Sequence, residues 1–131
     1  MKVLDCVDRS ARERHLTTAA AAIRRGEVVL VPTETSYALA TDALNPRGTG
    51  EIRVAKAMRT SVPLPVLVPS AATVEGVARA VSLVAADLMT AFWPGSLTVL
   101  LPAGRTLTWD HPTGAPVAVR MPLQPLLLDL L

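Results

Sequence analysis

The run Val28-Val29-Leu30-Val31 constrains this chain most: four apolar residues in a row, three of them β-branched, stopped by Pro32. β-Branched side chains fit a pleated surface, and an apolar run without polar alternation suits a strand buried on both faces. Residues 15–25 before it read as a helix. Thr17 or Thr18 lies near its start, alanines fill it, and Arg24-Arg25 precede Gly26. Basic residues followed by glycine are the usual end of a helix. The alternation then continues. Residues 36–41, 64–68, 97–101 and 117–120 read as strands, with Pro65 pushing its strand toward a sheet edge. Residues 50–58, 70–80, 82–92 and 123–131 read as helices, the second capped by Ser70. Strands alternating with helices give an α/β or α+β fold, a sheet with helices packed on it.

Composition narrows the class. The 131 residues form one domain, 1–131, able to remove roughly two-thirds of its unfolded surface from water. With 50% hydrophobic but only 3% aromatic residues, its core must be aliphatic. A net charge of +2 is too mild to indicate nucleic-acid binding by itself. The single Cys6 cannot form an internal disulfide, and no CxxC or His-rich spacing suggests a metal site. Lys2 and Asp5 stand where a signal peptide would need apolar residues, and residues 122–131 are too few to span a bilayer. A cytoplasmic protein without a membrane role is expected.

Four segments could carry chemistry. Pro32-Thr33-Glu34-Thr35-Ser36-Tyr37 follows the first strand directly and offers two threonine hydroxyls, a carboxylate and a phenol together. A turn whose threonines only satisfy the backbone is the equal alternative. Arg53, Lys56 and Arg59 are spaced three apart, so on one helix they share a face that could meet a polyphosphate. A solvated charged surface is the more common meaning of such a face. Gly48-Thr49-Gly50 gives weak support for a phosphate loop. Phe92-Trp93-Pro94-Gly95-Ser96-Leu97-Thr98 reads as a helix end, a tight turn and a strand start, anchored by Trp93. Arg120 ends an apolar strand, where it could clamp a carboxylate in bidentate fashion or form a structural ion pair. His15 and His111 have no Ser or Cys partner that would make a hydrolase triad.

Taken in order, these pieces resemble the YrdC-like family of threonylcarbamoyl-AMP synthases. The resemblance runs from Gly26 through Tyr37, then Ala55-Lys56, Pro63-Leu64-Pro65-Val66-Leu67-Val68, the Phe92–Thr98 segment and Val119-Arg120-Met121-Pro122-Leu123. It implies a twisted, mostly open mixed sheet flanked by helices, with a concave basic cavity. It also implies an activity: L-threonine, bicarbonate and ATP combine into threonylcarbamoyl-adenylate, which feeds threonylcarbamoyl modification of tRNA. By position, Thr33, Thr35, Tyr37 and Arg120 would hold threonine, while Lys56 and Arg59 would face ATP. No protein nucleophile is expected, and Mg²⁺ would accompany ATP. Candidate further partners are tRNA or double-stranded RNA and a second copy of the chain.

Three departures accompany the resemblance. Met58 stands where the family carries the arginine of a Lys-x-Arg pair, with Arg59 one step along. Ala38 stands where a glycine usually follows the tyrosine. The sequence stops at Leu131, before the family's Ser-x-Asn motif. Two alternatives follow: a nucleotide- or RNA-binding domain without turnover, and a carbamoyltransferase-type domain.

Overall fold

A computed structural model of the chain describes residues 2–104 and 109–131. Helix α1 (Arg9–Arg24) starts well before residue 15, because the Asp8 carboxylate accepts the Ser10 backbone N–H at 2.9 Å and caps it. The charged stretch after Asp8 hides that start from any apolar periodicity. Thr17 and Thr18 are interior residues whose hydroxyls donate to the carbonyls of Glu13 and Arg14. At the far end Gly26, at φ +78°, donates to Ile23, and Glu27 donates back to Ala22. That pair of bonds is a Schellman closure, which needs a left-handed residue and favours glycine.

Helix α2 (Pro46–Ala55) lies earlier than residues 50–58. Asn45 accepts the Arg47 N–H at 3.1 Å, and Pro46, with no N–H to orphan, opens the first turn. Gly48 and Thr49 are therefore helical and buried, which corrects the reading of Gly48-Thr49-Gly50 as a phosphate loop. Packing explains Gly48: a Cβ there would lie 2.1 Å from the Thr41 hydroxyl. The end of α2 repeats the end of α1. Ala57 donates to Val54 and Met58 to Arg53, with Ala57 at φ +50° in the place Gly26 takes after α1.

The strands pair in two pieces. β1 (Val29–Pro32) and β2 (Tyr37–Ala40) form an antiparallel hairpin with Pro32 opposite Tyr37. Val31 is buried, but Leu30 is 51% exposed, so β1 covers one face only, unlike the doubly buried strand expected. The second sheet has the order β3-β5-β4, built from β3 (Val66–Leu67), β4 (Val99–Pro102) and β5 (Pro116–Arg120). β5 is central, parallel to β3 and antiparallel to β4. Pro65 sits just before the short edge strand, as its missing N–H requires.

Around β5 the core is aliphatic: Val117 and Val119 are fully buried with Val68, Val74, Ala85, Met89 and Leu101. Helix α3 (Leu83–Phe92), capped by Ser82 through the Ala85 N–H, supplies Ala85 and Met89. Residues 70–80 form only a short 3₁₀ turn, Ala71–Gly76, and Ser70 makes no side-chain cap. Thr73, Val74 and Gly76 are poor helix formers, and Val74 is drawn into the core. Helix α4 (Pro125–Leu130) packs on α1 and β1, burying Leu127, while Arg12 pairs with Asp129 at 2.5 Å. No helix among the described residues is long and apolar enough to cross a membrane.

Candidate functional site

The C-terminal end of β5 gathers three of the sequence-selected segments. Arg120 closes the strand opposite Leu67, and its backbone carbonyl accepts the Val68 N–H at 3.0 Å. Its Nε donates to the Gly95 carbonyl at 3.0 Å, and the Gly95 N–H donates to the Met121 carbonyl at 2.8 Å. The turn after α3 is thus tied to β5 on both sides of one glycine. A side chain at Gly95 would put its Cβ 2.4 Å from the Phe92 carbonyl oxygen, so the turn requires glycine. Trp93 anchors it, packing on the core and donating from Nε1 to the Leu97 carbonyl at 2.8 Å.

From the other side, the loop between β1 and β2 reaches Arg120 through Glu34, whose Oε1 accepts from Nη2. Both side chains are mostly buried. Burial works to raise the Glu34 pKa, but the backbone N–H groups of Glu34 and Leu123, and Arg120 itself, outweigh it and hold the carboxyl below its usual range. At neutral pH the pair is ionic.

Thr33 organises this loop. Its hydroxyl donates to the Ser36 carbonyl at 2.6 Å and accepts the N–H groups of Thr35 and Ser36 at 3.2 and 3.0 Å. The proton of Thr33 is committed, so at the 3.0 Å contact between the two threonine hydroxyls Thr35 is the donor. Thr35 itself is exposed and keeps free lone pairs. Tyr37 opens β2 and is 72% exposed. An arginine, an ordered turn and an exposed hydroxyl therefore meet at one end of the sheet, an arrangement able to hold a small polar anion.

The basic segment behaves differently from the shared helical face expected of it. Arg53 is only 5% exposed, its Nε donating to Asp110 at 2.9 Å and its Nη1 to the carbonyls of Arg59 and Val62 at 3.1 and 2.7 Å. Lys56 is the C-cap of α2, and Arg59 lies beyond the helix; both are exposed. The helix stops at Ala55, so spacing by threes past that point no longer sets a common face. Arg53 is a structural clamp on the loop that carries Lys56 and Arg59.

No hydrogen bond among the described residues links Lys56 or Arg59 to the Arg120 cluster. Two hollows among the described residues lie elsewhere. One of about 580 Å³ runs between α1 and α4, lined by Arg9, Arg12 and Arg24; another of about 880 Å³ lies at the opposite end of β4 and β5, beside Arg79 and the stacked rings of Trp109 and His111. Neither contains Thr35, Lys56 or Arg120.

Comparison with known proteins decides the family. The model of the Sua5/YciO/YrdC domain, described as "Telomere recombination", matches residues 21–131. The chain belongs to the Sua5/YciO/YrdC family. Among its relatives, a Bacillus subtilis protein named threonylcarbamoyl-AMP synthase is 36% identical over 124 residues, covering 93% of this chain and 36% of its own. A Pyrococcus abyssi protein of the same name is 34% identical over 135 residues, covering 100% of this chain and 39% of its own. The crystal structure of P. abyssi Sua5 complexed with L-threonine superposes with a TM-score of 0.83 at 35% identity, covering 90% of this chain and 35% of that one. Escherichia coli YciO, at 20% identity and a TM-score of 0.79, shares the fold. A Mycobacterium tuberculosis relative is 35% identical over 99% of this chain, which spans 60% of that relative's length.

Within this YrdC-like frame the residue that sequence reasoning left out is Glu34. It was visible only as one more polar group in a turn, because nothing in sequence ties it to Arg120, 86 positions away. The available signal was charge pairing: a lone carboxylate after one strand and a lone arginine ending another.

Proposed function

We propose that this chain is the threonine- and ATP-binding domain of a threonylcarbamoyl-AMP synthase. The observation that carries the reading is the junction of Arg120 with the Thr33–Thr35 turn, made through Glu34. The names of the B. subtilis and P. abyssi relatives and the L-threonine in the P. abyssi complex support it. Arg120 takes the substrate carboxylate, Thr35 meets the amino acid with Tyr37 beside it, and Thr33 contributes by holding the turn. Lys56 and Arg59 face the ATP phosphates from the loop that Arg53 clamps.

The chemistry suits such a site. The threonine amine bonds to the carbon of bicarbonate with loss of water, giving a carbamate. A carbamate oxygen then attacks the α-phosphorus of ATP, and the bond to pyrophosphate breaks. Two anions must approach each other, so fixed cations offset the repulsion and no protein nucleophile is called for. Mg²⁺ would accompany ATP as its counter-ion. We locate the activity in the cytoplasm, with tRNA or double-stranded RNA and a second copy of the chain as further partners.

One observation favours a second reading, a nucleotide- or RNA-binding domain without turnover. Met58 holds the position of the family arginine, and its N–H closes α2 onto Arg53. The test is pyrophosphate release with ATP while threonine and bicarbonate are omitted in turn. Release that needs both supports the synthase. ATP binding without release favours the second reading, and use of carbamoyl phosphate in place of threonine and bicarbonate favours a carbamoyltransferase.

A further inference from the structure

A guanidinium has five N–H donors around a plane, and a carboxylate is held best when it takes two of them side by side. In Arg120 the edge formed by Nε and Nη2 is already spent: Nε donates to the Gly95 carbonyl and Nη2 to Glu34. Nη1 has no hydrogen-bond partner among the described residues, so the end edge, which Nη1 shares with Nη2, is the side left toward a ligand. Glu34 lies in the β1–β2 loop and Arg120 ends β5, so their ion pair ties that loop to the end of the central strand.

We propose that Glu34 is a positioning residue, which fixes the Arg120 guanidinium so that only its end edge is offered to the carboxylate of the amino-acid substrate. The inference rests on the reading in which Arg120 takes that carboxylate. It follows from geometry and from charge. Arg120 with Glu34 is neutral as a pair, so recognition depends on the direction of the free fork rather than on a general excess of positive charge. Anions that cannot take two parallel donors gain little there. An amino acid stripped of its carboxylate charge gains less still.

Calorimetric titration of the whole chain with L-threonine, and separately with L-threonine amide, tests this. The unaltered chain is expected to favour threonine over the amide. Glu34→Gln, which keeps the shape but loses the charge, is expected to weaken threonine binding roughly tenfold, consistent with loss of a hydrogen bond to a charged group. Glu34→Ala should weaken it further. Amide binding and ATP binding should stay within about twofold of the unaltered chain in both variants, a pattern that general loss of folding does not produce. Equal or tighter threonine binding in Glu34→Gln overturns the inference, because it makes Glu34 a competitor for the fork. Arg120→Ala separates the two levels: if it leaves threonine affinity unchanged, or if the unaltered chain binds no threonine, the underlying reading fails instead.

Discussion

Removing the Asp110 carboxylate should destabilise the domain more than its place in a loop suggests. Arg53 is 5% exposed, and its only charged partner among the described residues is Asp110, at 2.9 Å. Its other bonds go to two backbone carbonyls, and Nη2 is buried with no partner among the described residues. In Asp110→Ala the guanidinium stays buried without a counter-charge, a change that typically costs 3–5 kcal/mol. The Asp110 side chain is 31% exposed, so water replaces part of the lost contact, and about 2–4 kcal/mol is expected. For a domain of this size that lowers Tm by roughly 10 °C. Arg53→Met combined with Asp110→Ala removes both charges and should recover most of the loss. Urea unfolding of the unaltered chain and these two variants gives the numbers. A loss below about 0.5 kcal/mol for Asp110→Ala would refute the claim that Arg53 depends on this partner. The pH dependence has a definite sign. The hydrogen bond from Arg53 is the largest influence on Asp110 and lowers its pKa when folded. The unfolded chain therefore takes up the proton first, so this stabilisation is complete above about pH 4 and fades as pH falls through the lower folded value. Asp110→Asn should remove that acid-range slope.

Two further outcomes are expected. Ala57→Gly should stabilise the chain by about 0.5–1 kcal/mol in urea unfolding, because Ala57 occupies the left-handed closure of α2 at φ +50°, where an alanine Cβ is crowded. Lys56→Ala should weaken ATP binding roughly tenfold by titration while leaving threonine binding unchanged, since Lys56 is exposed at the end of α2, away from Arg120's hydrogen bonds.

Much of this fold is legible in sequence because local signals agree with it. Ser82 before an apolar segment caps α3, Gly26 after paired arginines closes α1, and Pro65 marks an edge strand. The misreadings have two sources, a local cap with no apolar period behind it and the demands of the core. Asp8 starts α1 in a charge-rich stretch with no apolar period, and between residues 70 and 80, where Val74 is drawn into the core, only Ala71–Gly76 form a 3₁₀ turn. At the candidate site, the motifs after β1 and at the end of β5 single out Thr35 and Arg120 as candidates, yet only the folded chain joins their segments through Glu34. The reverse happened with Arg53. Spacing grouped it with Lys56 and Arg59, but spacing cannot register that α2 ends at Ala55 or that Asp110 comes from far along the chain to bury it.

In the proposed function an amino acid is held between the Thr33–Thr35 turn and Arg120. Backbone amide shifts recorded during titration with L-threonine test it most directly. Shifts concentrated at Glu34, Thr35, Tyr37, Gly95 and Arg120, and lost in Arg120→Ala, are the predicted result. Saturable shifts clustered instead beside Trp109 and His111, or along α1 and α4, would contradict it.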